Sequence, residues 1–396
     1  MIPYGRQGIS ESDVAAVVEV LRSEFLTQGP LTPRFEKAVA SHVGVDHAVA
    51  TNSATSALHI ACLSLGLGSG DLLWTVPNTF VASANCGLYC GAEVDFVDID
   101  PYTWNMSVSC LKEKLAAAKK VGRVPKVLVP VHFAGQPTDQ ETIWDLAREY
   151  GFRVLEDASH SIGALRNGER VGSCRWSDVS VFSFHPVKIV TTGEGGIAVT
   201  NSAELAQRMA MLRSHGITRE PSVLRGGAGS AAGCPIPGGS AAGWYYEQQM
   251  LGYNYRMSDI HAALGLSQLS RLEEFVKRRN QLAGRYNGEL LELPLLLPTV
   301  SPANLSSFHL YVIRLNSSAC RKCHRDVFEA LRERGIGVNL HYTPVHLQPY
   351  FRSLGFTLGQ FPESEAHGRE AITLPLFPDL QEHEQDSVIR SLREVL

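Results

Sequence analysis

The sequence predicts an α/β protein with a large, mainly parallel sheet and a smaller C-terminal α+β domain. The chain has 396 residues, 44% of them hydrophobic, which is enough for two domains or for one large domain with a companion. Between residues 47 and 184, short β-branched runs alternate with helical segments, a pattern typical of a parallel sheet covered by helices. The predicted strands are His47–Thr51, Leu72–Val76, Val94–Ile99, Val127–Val131, Val154–Glu156 and Val179–Phe184.

Helices are predicted from capping residues and from apolar residues spaced along one face. Ser10, with Asp13 three residues later, predicts a helix over Ser10–Ser23. Ser258 opens what the spacing of Leu269, Leu272 and Val276 predicts to be one long helix. The other predicted elements are helices around Leu58–Leu65, over Thr79–Cys90, over Asp326–Arg334 and after Asp379, and a strand at Leu310–Leu315.

These elements divide the chain into two parts. We assign residues 1–257 to an N-terminal segment and the large domain, and residues 258–396 to a linking helix and the small domain. Pro221–Gly243 is rich in Gly, Ala and Ser, which predicts a mobile surface loop. Ligands of such sheets bind at the carboxyl ends of the strands, so chemistry is expected in the residues that follow each strand.

Composition excludes several classes of function. Lys and Arg number 36 and Asp and Glu 40, a net charge of −4, which argues against nucleic-acid binding or membrane adhesion through a basic surface. No apolar run is long enough to span a bilayer, and the first residues lack a signal-peptide pattern, so we expect a cytoplasmic protein. Cys320, Cys323 and His324 resemble half a zinc site without its other half; we expect a loop entering a helix there, and no metal.

Asn52–Ser56 stands between a predicted strand and a predicted helix. Free amides and the helix dipole at such a junction form an anion site, and small hydroxyl residues let a phosphate approach closely. The alternative is an ordinary helix cap, because Ser and Thr prefer that position in any case.

Asp157 and Lys188 are the other two candidates for chemistry. Asp157 ends an apolar strand, where an Asp is either a structural cap or the partner of a cationic ring nitrogen. Lys188 is flanked by Val187, Ile189 and Val190; a lysine desolvated in this way is nucleophilic and forms a Schiff base with an aldehyde, although most lysines are solvated surface charges. The Gly-rich run after Lys188 lacks the spacing of dinucleotide-binding folds. A phosphate seat, a strand-end Asp and a lysine 31 residues later (188 − 157) are together the parts that hold pyridoxal 5′-phosphate.

These motifs resemble those of the DegT/StrS-type nucleotide-sugar aminotransferases, a branch of the fold-type I pyridoxal-phosphate enzymes, which are similar to aspartate aminotransferase. The resemblance covers nearly the whole chain. It rests on Asn52–Leu58, on Asp157–His160, on Ser183–Lys188 and on Thr191–Gly196. It implies an α/β transferase fold, pyridoxal 5′-phosphate as cofactor, and a homodimer whose sites are shared across the interface.

The resemblance also implies roles for individual residues. Lys188 matches the catalytic Schiff-base lysine and Asp157 the partner of the pyridine nitrogen. His160 stands where many relatives carry Gln, near the phenolic oxygen of the cofactor. The remaining cofactor contacts that it implies are Ala54, Thr55, Phe80, Ser183 and Asn254, with Phe80 stacked on the ring and Asn254 reaching the neighbouring subunit. The substrate contacts that it implies are Tyr4, Leu26, Thr27, Gln28, Gly29, Ala54, Ser183, Asn254, Val338, Asn339, Leu340 and His341, with Tyr342 adjacent.

Within the family, the motifs look most like the branch that acts in pseudaminic acid synthesis. That branch implies a UDP-4-keto-6-deoxy-N-acetylhexosamine as substrate, L-glutamate as amino donor, and UDP-4-amino-4,6-dideoxy-N-acetyl-beta-L-altrosamine as product. Three alternatives remain open at this point: another nucleotide-4-keto sugar of the bacillosamine or perosamine type, a pyridoxal-phosphate sugar dehydratase, and a binding protein without activity. Relatives that are dehydratases carry His in place of the lysine, so Lys188 argues against the second.

Overall fold

The computed structural model describes residues 1–220, 223–224 and 244–396. The loop predicted at Pro221–Gly243 therefore lies outside the described residues, except for residues 223 and 224. In the described residues, helices α1–α13 span Glu11–Leu21, Leu31–Val43, Ala54–Ser64, Ala82–Tyr89, Val108–Lys120, Gln140–Tyr150, Ala203–Arg213, Asp259–Leu269, Leu272–Glu289, His324–Glu333, Pro349–Ser353, Pro362–Glu370 and Glu382–Val395. Strands β1–β15 span His47–Thr51, Leu72–Thr75, Glu93–Phe96, Val127–Leu128, Arg153–Asp157, Leu165–Arg166, Glu169–Arg170, Val179–Ser183, Gly196–Thr200, Ile217–Thr218, Glu247–Gln248, Leu295–Leu296, Asn304–Leu305, Tyr311–Leu315 and Ala371–Leu374.

The large sheet has the order β1-β9-β8-β5-β4-β2-β3. The four pairs from β8 to β3 are parallel, and β9 pairs antiparallel with both β1 and β8. The predicted mainly parallel sheet is thus confirmed. Strand β9 was not predicted, because its residues follow a Gly-rich run that indicates a turn.

Helices cover both faces of this sheet because neighbouring residues of a strand point to opposite sides. Leu73 and Leu155 belong to a core cluster formed with α3, α4 and α7. Trp74 and Val154, each one position away, belong to a second cluster formed with α5 and α6. This two-sided burial explains the near-continuous apolar character of the parallel strands.

A smaller unit follows α9. Strands β12, β14 and β15 form an antiparallel sheet, and its apolar side chains share a core with α9, α10 and α13. The start of the chain joins this unit, since Ile2 bridges to Ile336 in parallel. The predicted strand at Leu310–Leu315 and the two predicted helices are found here. The division of the chain after residue 257 stays a prediction.

Several predicted helix boundaries are confirmed and two differ. Ser10 caps α1 in a reciprocal capping box with Asp13, as predicted. The long helix predicted from Ser258 is instead two helices, α8 and α9, separated by Ser270 and Arg271. The helix predicted from Thr79 begins only at Ala82, which leaves residues 77–81 in a turn. No helix of the described part of the chain is long and apolar enough to cross a membrane.

Candidate active site

A cavity of about 450 Å³ opens at the carboxyl ends of β5 and β8, where the predicted chemistry was expected. Asp157 is the last residue of β5 and Ser183 the last of β8. Lys188 follows in the turn after β8, and the first turn of α3 forms another part of the wall. Segment 339–342, next to β15, closes one side. The predicted residues that line the cavity are Tyr4, Ala54, Thr55, Phe80, Asp157, His160, Ser183, Lys188, Asn339, Leu340 and His341.

Asp157 is a buried carboxylate held by two donors. The Ser83 hydroxyl donates to Oδ2 at 2.6 Å, and the backbone amide of Ser159 donates to Oδ1 at 3.1 Å. Ser83 lies in the first turn of α4 and is itself fully buried. The carboxylate is therefore fixed in direction and faces a cavity with an amine on its wall, a suitable arrangement for pairing with a cation.

Lys188 is partly desolvated, as its flanking residues predict. Ile189 and Val190 are buried beside it. Burial lowers the pKa of the Lys188 amine to about 8, and the negative charge of Asp157 opposes that shift. An amine with this pKa is substantially neutral near pH 8, so it can act as a nucleophile or a base where an ordinary lysine cannot.

The turn before α3 is both a helix cap and a possible anion seat. Ser53 caps the helix by accepting the Ser56 amide at 3.1 Å. Ala54 and Thr55 line the cavity, and their amides, in the first turn of the helix, have no acceptor within it. A Cβ on Gly196 would lie 2.3 Å from the Ala54 nitrogen, so only glycine lets β9 approach this turn.

His160 and Tyr342 are joined by a hydrogen bond whose donor can be assigned. His160 Nδ1 accepts the Ala134 amide at 3.2 Å, so in the neutral ring Nε2 carries the hydrogen and donates to the Tyr342 hydroxyl at 3.2 Å. Burial, together with the charge of Lys188, lowers the pKa of His160 well below its ordinary value, which keeps the ring neutral. The Tyr342 hydroxyl then has its own hydrogen left to donate into the cavity.

Three further histidines line the cavity: His185, His309 and His341. His341 Nδ1 is 2.8 Å from Thr373 Oγ1, and burial lowers the pKa of His341 to about 3. His309, just before β14, has Nε2 at 3.3 Å from Lys188 Nζ. Sequence reasoning missed His309 and Ser83. Neither has a local pattern that distinguishes it from a strand-flanking or helix residue.

Of the predicted aromatic contact and the predicted substrate contacts, some line the cavity and others do not. Phe80 is 58% exposed at the mouth of the cavity, which excludes ordinary helix packing as the reason for its placement. The Tyr4 and His341 rings lie 5.3 Å apart. Val338 is buried in the core of the smaller unit and does not line the cavity.

Five other predicted residues lie outside this cavity. Leu26, Thr27 and Gln28 are exposed, and they run beside the start of α8, where Thr27 bridges to Ser258. Gly29 is next to them, and a Cβ there would lie 2.2 Å from Asp259 Oδ2. Asn254 is exposed in the segment that leads into α8, where it bridges to Ser214. These five residues therefore do not line this chain's own cavity, and their predicted contacts stay a prediction.

The residues present fit pyridoxal 5′-phosphate by their chemistry. A fixed carboxylate suits a protonated ring nitrogen, free first-turn amides and the Ser183 hydroxyl suit a phosphate, and an amine of lowered pKa suits an aldehyde. The segment at Cys320–His324 is a turn into α10, as expected, with Cys323 at the N-cap position. Among residues 1–220, 223–224 and 244–396, no group of three or more His, Cys, Asp or Glu could hold a metal ion.

Comparison with known proteins agrees with this chemistry. The model of the DegT/DnrJ/EryC1/StrS aminotransferase family matches residues 7–393. The spore coat polysaccharide biosynthesis protein SpsC of Bacillus subtilis is 36% identical over the whole chain and 97% of its own length. PseC of Helicobacter pylori, an aminotransferase involved in pseudoaminic acid biosynthesis, superposes with a TM-score of 0.87 at 29% identity, covering all of this chain and 98% of PseC.

A third relative bears on the cofactor. The putative sugar aminotransferase Spr1654 of Streptococcus pneumoniae, in its PLP form, has a TM-score of 0.85 at 27% identity and covers 100% of this chain and 99% of its own. The predicted fold class, enzyme class and cofactor are confirmed by these matches. The chain belongs to the DegT/DnrJ/EryC1/StrS aminotransferase family, whose members are fold-type I, pyridoxal 5′-phosphate-dependent sugar aminotransferases.

Proposed function

We propose that this aminotransferase moves the amino group of L-glutamate to C4 of a UDP-4-keto-6-deoxy-N-acetylhexosamine. The product is UDP-4-amino-4,6-dideoxy-N-acetyl-beta-L-altrosamine, an intermediate of pseudaminic acid synthesis. The observation that carries the chemistry is one cavity with the Lys188 amine, the Asp157 carboxylate and the first turn of α3 on its walls. The likeness to PseC over the whole chain supports the choice of sugar.

The cofactor supplies an aldehyde that captures amines and a ring that takes up the electron pair of an adjacent carbanion. Asp157 would pair with the ring nitrogen and keep it protonated, and Ser83 holds the carboxylate in place. The amides of Ala54 and Thr55 and the Ser183 hydroxyl would bind the phosphate. His160 would lie near the phenolic oxygen, and stacking on Phe80 would contribute about 1 kcal/mol beyond burial.

Lys188 has two tasks in this proposal. As an amine of pKa about 8 it would hold the aldehyde of the cofactor, and in its free form it is a base in the same cavity. The free amine takes the proton from the α-carbon of glutamate, which leaves as 2-oxoglutarate with an oxo oxygen from water. In the second half of the reaction the same amine delivers a proton to C4 of the sugar, whose ketone oxygen leaves as water. A base works best when its pKa lies near the working pH, which the burial of Lys188 provides.

We further propose that the enzyme is a homodimer with shared sites. Asn254 and residues 26–28 are exposed, Gly29 is half-buried, and all lie outside the cavity of their own chain, so they are free to complete the site of a second copy. Tyr4, Asn339, Leu340 and His341 line the cavity and contact the nucleotide sugar from the chain that holds Lys188. Val338 supports that segment from the core.

Subunit mixing tests the shared site. Lys188→Ala and Asn254→Ala proteins are each nearly inactive, but unfolded and refolded together in equal amounts they form heterodimers in which one site has both native residues. With half the dimers mixed and one site in two restored, about a quarter of the wild-type activity is expected. Activity that stays at the level of the separate variants shows that Asn254 acts in its own chain.

The experiment for the reaction is a substrate panel. Purified enzyme is incubated with pyridoxal 5′-phosphate, glutamate and a set of UDP-4-keto sugars, and NMR identifies the product, with Lys188→Ala as control. The altrosamine product is expected. A dehydrated sugar without nitrogen, or no conversion and no spectral change with glutamate, contradicts an aminotransferase.

A different nucleotide-4-keto sugar is the second candidate, and one observation favours it. SpsC, whose name places it in spore coat polysaccharide biosynthesis, is 36% identical to this chain, more than the 29% of PseC. Preference in the panel for a substrate of the bacillosamine or perosamine type supports this candidate. It leaves the assignment of Lys188 and Asp157 unchanged.

A further inference from the structure

His309 is the imidazole nearest to the reactive amine. It lies 121 positions after Lys188 and two residues before β14, with its Nε2 3.3 Å from Lys188 Nζ. Only 4% of its surface is exposed, and its ring packs against His160 with centroids 4.4 Å apart. We infer that His309 is a positioning residue, whose Nε2 accepts a hydrogen bond from Lys188 Nζ and holds the amine toward the cavity. This inference rests on the proposed role of Lys188.

The backbone around His309 is unusually constrained. Phe308 has a φ of +44°, a left-handed conformation that costs free energy for a bulky side chain and persists only where the surroundings enforce it. The buried Arg279 enforces it by donating from Nη1 to the carbonyls of Phe308 and His309, both at 3.2 Å. The strained backbone of Phe308 lies next to the reactive Lys188, which indicates that the position of the His309 ring serves the function of the site.

Contacts on the other side complete this support. The Ser307 amide donates to the Gly135 carbonyl at 3.1 Å, and the Leu310 amide donates to the Ala134 carbonyl at 3.3 Å. The same Ala134 donates its amide to His160. The backbone on both sides of His309 is therefore tied to the segment that also orients His160, which fixes the two rings relative to Lys188.

Donor and acceptor chemistry sets the direction of the bond. An ammonium group has only donors, so Nε2 of His309 must accept and Nδ1 must carry the ring hydrogen. Nδ1 has no partner in the described part of the chain, so the ring is not held by a second hydrogen bond of its own. Burial, reinforced by the charge of Lys188, lowers the pKa of His309 well below its ordinary value and keeps the accepting lone pair available.

Other titratable groups line the same cavity. Asp157 at the end of β5 favours the ammonium form of Lys188, while His160 after β5 and His341 beside β15 are neutral because burial lowers the pKa of each. The remaining titratable residues on the wall are Tyr4, His185, Glu194 and Tyr342. Within the described residues none of these groups makes a hydrogen bond to Nζ, so His309 is the group whose loss changes the amine most directly.

The test measures the pKa of Lys188 in cofactor-free enzyme by competitive labelling with acetic anhydride over pH 6–11, followed by mass spectrometry of the peptide with residue 188. His309→Phe keeps a buried ring and removes the acceptor, so the ammonium loses a partner. The pKa is expected to fall by about one unit, from about 8 in the wild type. His309→Gln keeps an acceptor and is expected to stay near the wild-type value.

The outcomes separate the alternatives. If His309 serves only to bury the amine, its substitution lets water in and the pKa of Lys188 rises toward that of an ordinary lysine. Either such a rise or an unchanged pKa of Lys188 in His309→Phe overturns the inference. A ¹⁵N spectrum of histidine-labelled wild type gives an independent measurement that needs no variant to fold. A hydrogen on Nδ1 of His309 is expected, and one on Nε2 at pH 7 overturns it. If wild-type Lys188 fails to capture pyridoxal 5′-phosphate at all, the proposed function fails instead.

Discussion

The hydrogen bond between Ser83 and Asp157 offers a sharp test of the electrostatics of the site. The Ser83 hydroxyl donates to Oδ2 at 2.6 Å, and both side chains are buried. The Ser159 amide is the other donor that the described residues give to this carboxylate. Ser83→Ala therefore removes one of two donors without touching the carboxylate itself.

The size of the effect follows from the charge on the acceptor. A hydrogen bond to a charged group contributes about 1.5–3 kcal/mol, and about 1.4 kcal/mol corresponds to a factor of ten in rate. Only the part of that interaction that strengthens on the way to the transition state changes the rate. We therefore expect kcat/KM for glutamate to fall about tenfold in Ser83→Ala.

The assay is the half-reaction with glutamate, followed in a stopped-flow instrument through the absorbance of the cofactor. Ser64→Ala is the matched control, because Ser64 is also buried but its hydroxyl has no hydrogen-bond partner in the described part of the chain. The control loses the same atom without losing a bond. If the two variants react with glutamate at the same rate, the argument that Ser83 holds Asp157 for catalysis is refuted.

Three other outcomes are expected. Lys188→Ala stops amino transfer with an unchanged circular dichroism spectrum, while the exposed Lys277→Ala control stays active; normal turnover in Lys188→Ala refutes the assignment. Asp157→Asn retains pyridoxal 5′-phosphate through gel filtration but transfers amine far more slowly, and an unchanged rate constant counts against its role. Burial lowers the pKa of His341 and of His367 to about 3, so between pH 6.5 and 3 the unfolded chain binds more protons than the folded chain. The free energy of unfolding therefore decreases as the pH is lowered through this range, by up to about 1.4 kcal/mol per pH unit for each histidine. Urea denaturation at pH 7, 6 and 5 checks this, and an equal slope in His367→Gln contradicts it.

The principal chemical groups of the site were predictable because they stand at strand ends. Asp157 follows an apolar strand, and Asn52–Ser56 separates a strand from a helix, so local pattern and the rule for parallel sheets place both at one edge. Lys188 was recognisable from its apolar neighbours, and its own burial lowers its pKa. In each case the information lies within a few residues of the group itself.

Other features depend on contacts between distant segments. Gly196 looks like part of a turn, yet it begins β9, because glycine is what lets this strand pass the first turn of α3. The break between α8 and α9 at Ser270 and Arg271 leaves the apolar spacing of Leu269 and Leu272 intact, so periodicity alone predicts one helix. Sequence patterns report the period of an element better than its interruptions or its long-range neighbours.

The histidines around Lys188 show why such neighbours matter for the chemistry. Cationic rings beside the amine would repel its proton and would also compete for the negative charge of Asp157. Burial keeps His160, His309 and His341 neutral, so they surround the amine with polar groups without adding charge. Desolvation then lowers the pKa of Lys188 while Asp157 raises it, and the balance near 8 leaves an amine that can both lose and regain a proton. That balance requires four segments far apart in the chain, at residues 157–160, 188, 309 and 341, and only the fold brings them to one cavity.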